Sequence, residues 1–220
     1  MIVAAGAGLR LGASQPKAFV ELAGQAMVLH AISAFQRSAS VDDIVVVVPP
    51  DHQETATQVL PPGVTCVPGG LQRQESVSAG LSACPSSVRV VAVHDAARPL
   101  VTPDLIDRTI AAMGPPWDAV APGVPIVDTL KQVDPRSVVL RTIDRTGVWA
   151  VQTPQVATRA TLERVHARVA PSADAATDDL SLIERAGGRV HLIHGDWRNL
   201  KVTSAGDLAI AEQLLSLDVS

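Results

Sequence analysis

Cysteine, lysine, a basic excess and long apolar runs are all scarce in this 220-residue chain. Only Cys66 and Cys84 occur, and Met1 runs directly into Ile2-Val3-Ala4-Ala5-Gly6 without a basic region and an apolar signal stretch. Both features predict a reducing, cytoplasmic setting. The strongest apolar runs, 44–48 and 88–93, fall far short of the roughly 20 residues that cross a bilayer, so no membrane partner is expected. A formal net charge of −4 supplies no basic surface to displace counterions from a duplex, which argues against a nucleic-acid partner. No Cys/His metal cluster, nucleophile elbow or Ser/His/Asp arrangement can be placed, and the cysteines have unmatched settings that give little support to a catalytic thiol.

What is there is globular. Hydrophobic residues make up 47% and charged ones 18%, and the length can bury a core without disulfide or metal staples. Tight β-branched runs alternate with amphipathic or Ala-rich stretches, the pattern of βα units around a doubly wound, largely parallel α/β sheet. Strands are predicted at 2–5, 44–48, 64–67, 88–94, 119–122, 149–152 and 190–193. Helices are predicted at 26–37, where Val28, Ile32 and Phe35 keep helical spacing, at 105–113 after Thr102-Pro103, and at 205–217. Without a repeat or long linker, the whole of 1–220 reads as a single domain. Residues 126–148 break the alternation: Val-rich pieces flank Asp134-Pro135-Arg136-Ser137, which suits a β-hairpin. The residues alone allow either a projecting arm or an edge excursion of the same sheet.

The first strand leads into Ala4-Ala5-Gly6-Ala7-Gly8-Leu9-Arg10-Leu11-Gly12, whose small residues bring backbone N–H groups within reach of phosphates. It is not a dinucleotide fingerprint: the third glycine comes one place late, and the second strand ends at Pro49-Pro50-Asp51, too far on for the ribose-binding acid. Nor is it an NTPase phosphate loop, since no hydroxyl residue follows the lysine of Gln15-Pro16-Lys17. Arg10 and Lys17 beside the loop suit a nucleotide attacked at its α-phosphate, where charge builds on phosphoryl oxygens. A glycine-rich turn with solvated cations remains the plainer alternative.

The buried strand 90–93 runs into His94-Asp95-Ala96-Ala97-Arg98-Pro99, and ligands of open α/β sheets bind at that carboxyl edge. Asp95 is the candidate ligand for Mg²⁺, which takes one or two carboxylates with phosphate oxygens and water; a helix cap or a partner for Arg98 is the alternative. Arg98 could hold a second anionic group. His94, ending an apolar strand, reads as an orienting hydrogen-bonder. Against fifteen arginines stand three lysines, and each lies in a motif-like segment: Pro16-Lys17, 128–131 with Lys131, and 199–203 with Lys201. Gly69-Gly70-Leu71-Gln72-Arg73-Gln74-Glu75-Ser76-Val77 is a second glycine turn entering a helix; its N–H groups and Ser76 could meet a base or ribose, or it could be an ordinary loop.

Taken in order, these segments resemble the 2-C-methyl-D-erythritol 4-phosphate cytidylyltransferase family over the chain from Ile2 to the last helix. The resemblance is carried by Ala4-Ala5-Gly6-x-Gly-x-Arg10, Pro16-Lys17, Gly69-Gly70-x-x-Arg73-x-x-Ser76-Val77, His94-Asp95-Ala96-Ala97-Arg98-Pro99, Asp144-Arg145-x-Gly147-x-Trp149, Thr153-Pro154-Gln155, Thr177-Asp178-Asp179 and Lys201-Val202-Thr203. It implies a Rossmann-like nucleotidyltransferase fold of the GT-A-like kind, with residues 126–148 as a dimerisation arm of a homodimer. It implies attack of the methylerythritol phosphate oxygen on the α-phosphorus of CTP with release of diphosphate, assisted by Mg²⁺ or another divalent cation. Residue by residue, it implies transition-state roles for Arg10 and Lys17, metal binding by Asp95, and for Lys201 a catalytic place near the phosphates that it shares with the acceptor site. Ala4, Ala5, Gly6, Gly8, Gly70, Arg73 and Ser76 fall on the nucleotide side, and Arg98, Thr129, Arg145, Thr153 and Thr177 around the acceptor. Val3, Ala18 and Leu71 depart from the family pattern; Leu71 can offer a base only its backbone. The nearest rival is a ribitol-5-phosphate cytidylyltransferase or another sugar-phosphate nucleotidyltransferase. A non-catalytic nucleotide-binding regulator is the rival of another class, and it would release no diphosphate.

Overall fold

The structure is a computed structural model, described here for residues 1–6, 15–168 and 178–217. Its strands are β1 (Ile2–Val3), β2 (Glu21–Leu22), β3 (Gln25–Ala26), β4 (Ile44–Val48), β5 (Val64–Pro68), β6 (Val90–Asp95), β7 (Ala119–Pro125), β8 (Leu130–Val133), β9 (Val139–Ile143), β10 (Trp149–Val151), β11 (Gln155–Thr158) and β12 (Val190–His194). The helices are α1 (Met27–Arg37), α2 (Gln53–Val59), α3 (Arg73–Ala83), α4 (Pro103–Ala111), α5 (Arg159–His166), α6 (Asp179–Arg185) and α7 (Ala205–Leu217).

Five consecutive β-branched residues make β4, and all five are buried because helices cover both faces of the sheet. Val45 and Val47 pack on one side with Val77 and Leu81 of α3, Leu162 and Val165 of α5 and Ile183 of α6. Ile44, Val46 and Val48 pack on the other with Val28, Ile32 and Phe35 of α1 and Leu105 and Ile106 of α4. The period-2 alternation of one strand thus feeds two cores, as a doubly wound sheet requires. The i, i+4, i+7 stripe of α1 is the buried face expected from its sequence. Phe35 is among the largest fully buried side chains, and truncating it to alanine costs about 3–5 kcal/mol. Thr102 caps α4 by accepting from Leu105 N at 3.2 Å, with Pro103 in the first turn.

Parallel pairs join β5 to β4, β4 to β1, β1 to β6, and β7 to β12. Antiparallel pairs interrupt them: β11 lies between β6 and β7, and β10 continues the same line along β7. The expectation of a largely parallel, doubly wound sheet therefore holds for the half that carries β1, β4, β5 and β6, while the other half is mixed. Strand β11 was not foreseen, because Pro154 breaks the run that leads into it. Helices α2, α5 and α6 were not foreseen either, being short and without a long apolar stripe. Residues 126–148 do not extend the main sheet: β8 and β9 pair only with each other as a separate two-stranded sheet. The backbone of Ile126 donates to Val148 O at 3.1 Å across the base of this hairpin. Val127, Val133, Val138, Val139 and Leu140 are exposed on it.

Candidate active site

Register brings three sequence-distant segments to one sheet edge. Val3 pairs with Val47 on one side and Asp95 on the other, so the chain leaving β1 and the last residue of β6 emerge together. Beside them β5 ends in Gly69-Gly70. Gly69 N donates to Val48 O at 2.8 Å, and a Cβ on Gly69 would lie 2.6 Å from Ser76 Oγ, while one on Gly70 would lie 2.3 Å from Glu75 Cβ. Glycine is required here by the close approach of the turn to the start of α3. Ser76 secures that turn: its hydroxyl donates to Gln72 O at 3.2 Å, and its oxygen accepts from Gly70 N at 3.2 Å. A reciprocal capping box between Gln72 and Glu75 starts the helix.

Between these segments lies a cavity of about 530 Å³. Ala4, Ala5, Gly6, Lys17, Gly70, Arg73, Ser76, Asp95 and Lys201 all line it, together with Leu71, Gln72, Ala96, Ala97 and Thr203 among others. Among the described residues, the charged ones on the wall are Lys17, Arg73, Lys201 and Asp95, three cations to one carboxylate. Asp179, paired with Arg73 from behind at 2.8 Å, offsets one of these cations, so on a chain of net charge −4 the described wall keeps a local excess of positive charge suited to a polyanion. Leu71 stands fully exposed at the cavity, so its side chain presents an apolar surface there.

Asp95 is the electrostatic centre. Its Oδ2 accepts from Lys201 Nζ at 2.6 Å, and its Oδ1 lies 3.7 Å from Arg73 Nη2. Burial alone would raise its pKa, but Lys201 and then Arg73 outweigh burial and hold the carboxyl below its ordinary value. The Arg73 guanidinium is opposed by burial, yet Asp179 and Asp95 keep its pKa above the ordinary value. Lys201 reaches the cavity because Val202 N donates to Ala97 O at 2.8 Å, which ties that segment to the turn after β6.

A relay behind Asp95 orients it. His94 is fully buried, and burial lowers its pKa to about 4, so the ring is neutral. Its Nε2 donates to Arg98 O at 3.1 Å; Nδ1 must then accept, and it does so from the Thr153 hydroxyl at 2.9 Å. Thr153 Oγ in turn accepts from Asp95 N at 3.2 Å. His94 therefore orients, as its place at the strand end suggests.

The acceptor-side expectations fare differently. Thr153 is 3% exposed, and its hydroxyl is engaged by His94 and Asp95. Arg98 does not line the cavity: its guanidinium donates to Asn199 O at 2.8 Å and to Val151 O at 3.2 Å, bracing the chain beneath the site. Thr129 and Arg145 are exposed on and beside the hairpin, away from this cavity. Gly8, Arg10 and Thr177 lie outside the described residues. Among the described residues no group of three His, Cys, Asp or Glu could hold a metal ion by itself. A single carboxylate among cations fits a Mg²⁺ that takes most of its ligands from phosphate oxygens and water. The sequence reading assigned no role to Asp179 or His166, which stand behind Arg73. Asp179 is 1% exposed, with Oδ2 2.8 Å from Arg73 Nη2 and Oδ1 accepting from His166 Nε2 at 2.9 Å.

Comparison with known proteins bears on the chain as a whole. The family model of 2-C-methyl-D-erythritol 4-phosphate cytidylyltransferase matches residues 1–217. The protein of that description from Nocardia farcinica is 44% identical, with 98% of this chain and 92% of the relative covered. Its counterpart from Streptomyces avermitilis is 42% identical over 98% of this chain and 90% of the relative. Among solved structures, the 4-diphosphocytidyl-2C-methyl-D-erythritol synthase of Anaerococcus prevotii superposes with a TM-score of 0.84 at 27% identity, covering 98% of this chain and 94% of that one. The 2-C-methyl-D-erythritol 4-phosphate cytidylyltransferase of Thermus thermophilus gives 0.79 at 31% identity, covering 97% and 96%.

Proposed function

The chain belongs to the 2-C-methyl-D-erythritol 4-phosphate cytidylyltransferase family, and we propose that the cavity at the ends of β1, β5 and β6 is where it joins CTP to that acceptor. A phosphate oxygen of methylerythritol phosphate forms a new bond to the α-phosphorus of CTP. The bond from that phosphorus to the bridging oxygen of the β-phosphate breaks, and diphosphate leaves with the electron pair. No covalent enzyme intermediate is needed, so the work of the protein is to position phosphates and to meet growing charge. The observation that carries the reading is the wall itself: among the described residues, three cations and one carboxylate between the small residues Ala4, Ala5 and Gly6 after β1 and the Gly69-Gly70 turn after β5.

In this reading Ala4, Ala5, Gly6, Gly70 and Ser76 cradle the cytidine part, Arg73 meets its phosphates, and Lys17 meets the charge that develops on the reacting phosphoryl group, a role that the family resemblance gives to Arg10 as well. Lys201 stays near the phosphates. Asp95 would hold Mg²⁺ or another divalent cation, which when bound supplies charge neutralisation on phosphate oxygens. Thr153 acts on Asp95 through its backbone N–H, and Arg98 supports the loop that carries Asn199. We also propose a homodimer in which the hairpin crosses to a second copy and brings Thr129 and Arg145 to the partner's acceptor side. Exposed Val133, Val138, Val139 and Leu140 on unpaired strand edges support this, since an exchange of arms covers them and closes by symmetry. A diphosphate-release panel tests the function. CTP with methylerythritol phosphate should turn over, and ribitol phosphate or other nucleoside triphosphates should be much poorer. Equal rates with ribitol phosphate would move the assignment to the neighbouring activity, and CTP binding without diphosphate release would make the chain a regulator.

A further inference from the structure

We propose that Asp179, braced by His166, is a positioning residue that holds the Arg73 guanidinium at the cavity wall and thereby sets how tightly the phosphates of the nucleoside triphosphate are bound. The inference rests on the reading that this cavity takes CTP.

Three helices on one face of the sheet converge to make the arrangement. Arg73 opens α3, His166 closes α5 and Asp179 opens α6. The Asp179 carboxylate is held from two sides, by His166 Nε2 at 2.9 Å and Arg73 Nη2 at 2.8 Å. Its backbone N–H donates to Gln155 Oε1 at 3.0 Å, which fixes the start of α6 against β11. Almost nothing of that carboxylate faces solvent, so Arg73 cannot swing away without leaving a buried charge short of its ion-pair partner. A long side chain that would otherwise sample many rotamers is thus confined to one direction. A guanidinium has five N–H donors in a fixed fork, and the contact with Asp179 leaves others for an anion in the cavity. Asp95, 3.7 Å from the same Nη2, pulls from the cavity side. Arg73 is therefore poised between a permanent anchor behind it and a cavity in front.

Equilibrium binding of CTP in the absence of acceptor, with the KM for methylerythritol phosphate and the thermal midpoint measured alongside, tests the proposal. Asp179→Asn removes the charge with little change of shape and should weaken CTP binding about tenfold, as expected for loss of an interaction with a charged group, while the acceptor KM moves less than twofold. Arg73→Ala should weaken CTP at least as much, and the double variant should bind no worse than Arg73→Ala alone, because Asp179 acts through Arg73. Asp179→Asn with the affinity of the unsubstituted protein, or additive losses in the double variant, would overturn the positioning role. If Arg73→Ala itself leaves CTP affinity unchanged, the assignment of this cavity wall to the nucleotide is what fails. Should Asp179→Asn not fold, His166 decides the matter. His166→Ala should weaken CTP about threefold and His166→Gln, which returns an N–H toward Oδ1, should restore it; an alanine variant with unchanged affinity would overturn the bracing.

Discussion

Replacing Thr153 by valine separates two roles that its position allows. The hydroxyl lies in a site 3% exposed, donating to His94 Nδ1 at 2.9 Å and accepting from Asp95 N at 3.2 Å. Valine keeps the bulk and removes both bonds, which leaves a ring nitrogen and a backbone N–H buried without partners. Each such orphan costs about 1–3 kcal/mol, so the variant should lose about 3 kcal/mol in all. For a chain of this size that is a drop of roughly 6–12 °C in thermal midpoint. Thr153→Ser retains the hydroxyl and loses a methyl group, worth about 1 kcal/mol. The assay is a scanning melt of the three proteins, followed by diphosphate release across a Mg²⁺ titration on folded samples. A residue that served only to touch the acceptor would move the acceptor KM and leave the melt alone. A valine variant melting within about 2 °C of the unsubstituted protein would refute the relay.

Asp95→Asn should shift the Mg²⁺ requirement sharply upward and lower turnover, since an amide carries no charge to hold the cation; activity unchanged at the same metal concentration would place that role elsewhere. Lys17→Ala should lower kcat by tenfold or more while raising the KM for CTP less, and a change confined to KM would contradict its assignment to the transition state. His94 should titrate near pH 4 in the folded protein, against an ordinary value of 6.5. Because the unfolded chain then binds the additional proton first, its contribution to stability is intact above about pH 6.5, falls as pH drops toward 4 by about 3 kcal/mol in total, and levels off below. His94 imidazole resonances, assigned against a His94 variant among the chain's six histidines, that moved with a midpoint near 6.5 would refute a buried neutral ring. Mixed dimers of Lys17→Ala with Arg145→Ala should regain activity in about one site of two if the arms act in trans, and should stay inactive if each arm serves its own subunit.

The parts of the fold legible in the sequence were those whose signal is local. Ile44 to Val48 and the stripe of Val28, Ile32 and Phe35 reveal themselves because burial on a strand or helix face imposes a residue period that neighbours share. The hairpin was legible from its turn chemistry, but whether it joined the main sheet depended on partners that no local pattern names. Strand β11 is set by pairing to both β6 and β7 rather than by its own four residues, and α5 and α6 are too short for periodicity to speak. For these, tertiary context decides.

The site divides along the same line. Glycines after strands and an aspartate at the end of a buried strand stand out because the backbone geometry of a sheet edge demands unusual residues there, and the structure does gather Gly6, Gly70, Lys17, Arg73, Asp95 and Lys201 around one cavity. What could not be read was which way each polar group faces. Arg98 and Thr153 sit in the right segment, yet their donors and acceptors are directed at carbonyls, an imidazole and a backbone N–H belonging to other elements. Asp179 was visible only as part of the Thr177-Asp178-Asp179 segment, with no role attached, since an aspartate in the first helical turn reads as an ordinary helix start, and His166 carries no local signal. Their meaning comes from a guanidinium more than ninety positions away from His166 in sequence and within 2.8 Å of Asp179 in space. Residues that touch a ligand are constrained by the ligand's chemistry and by the strand ends that present them. Residues that aim those side chains are constrained by ion-pair and hydrogen-bond partners on other elements, and those partners are what a sequence read one segment at a time does not name.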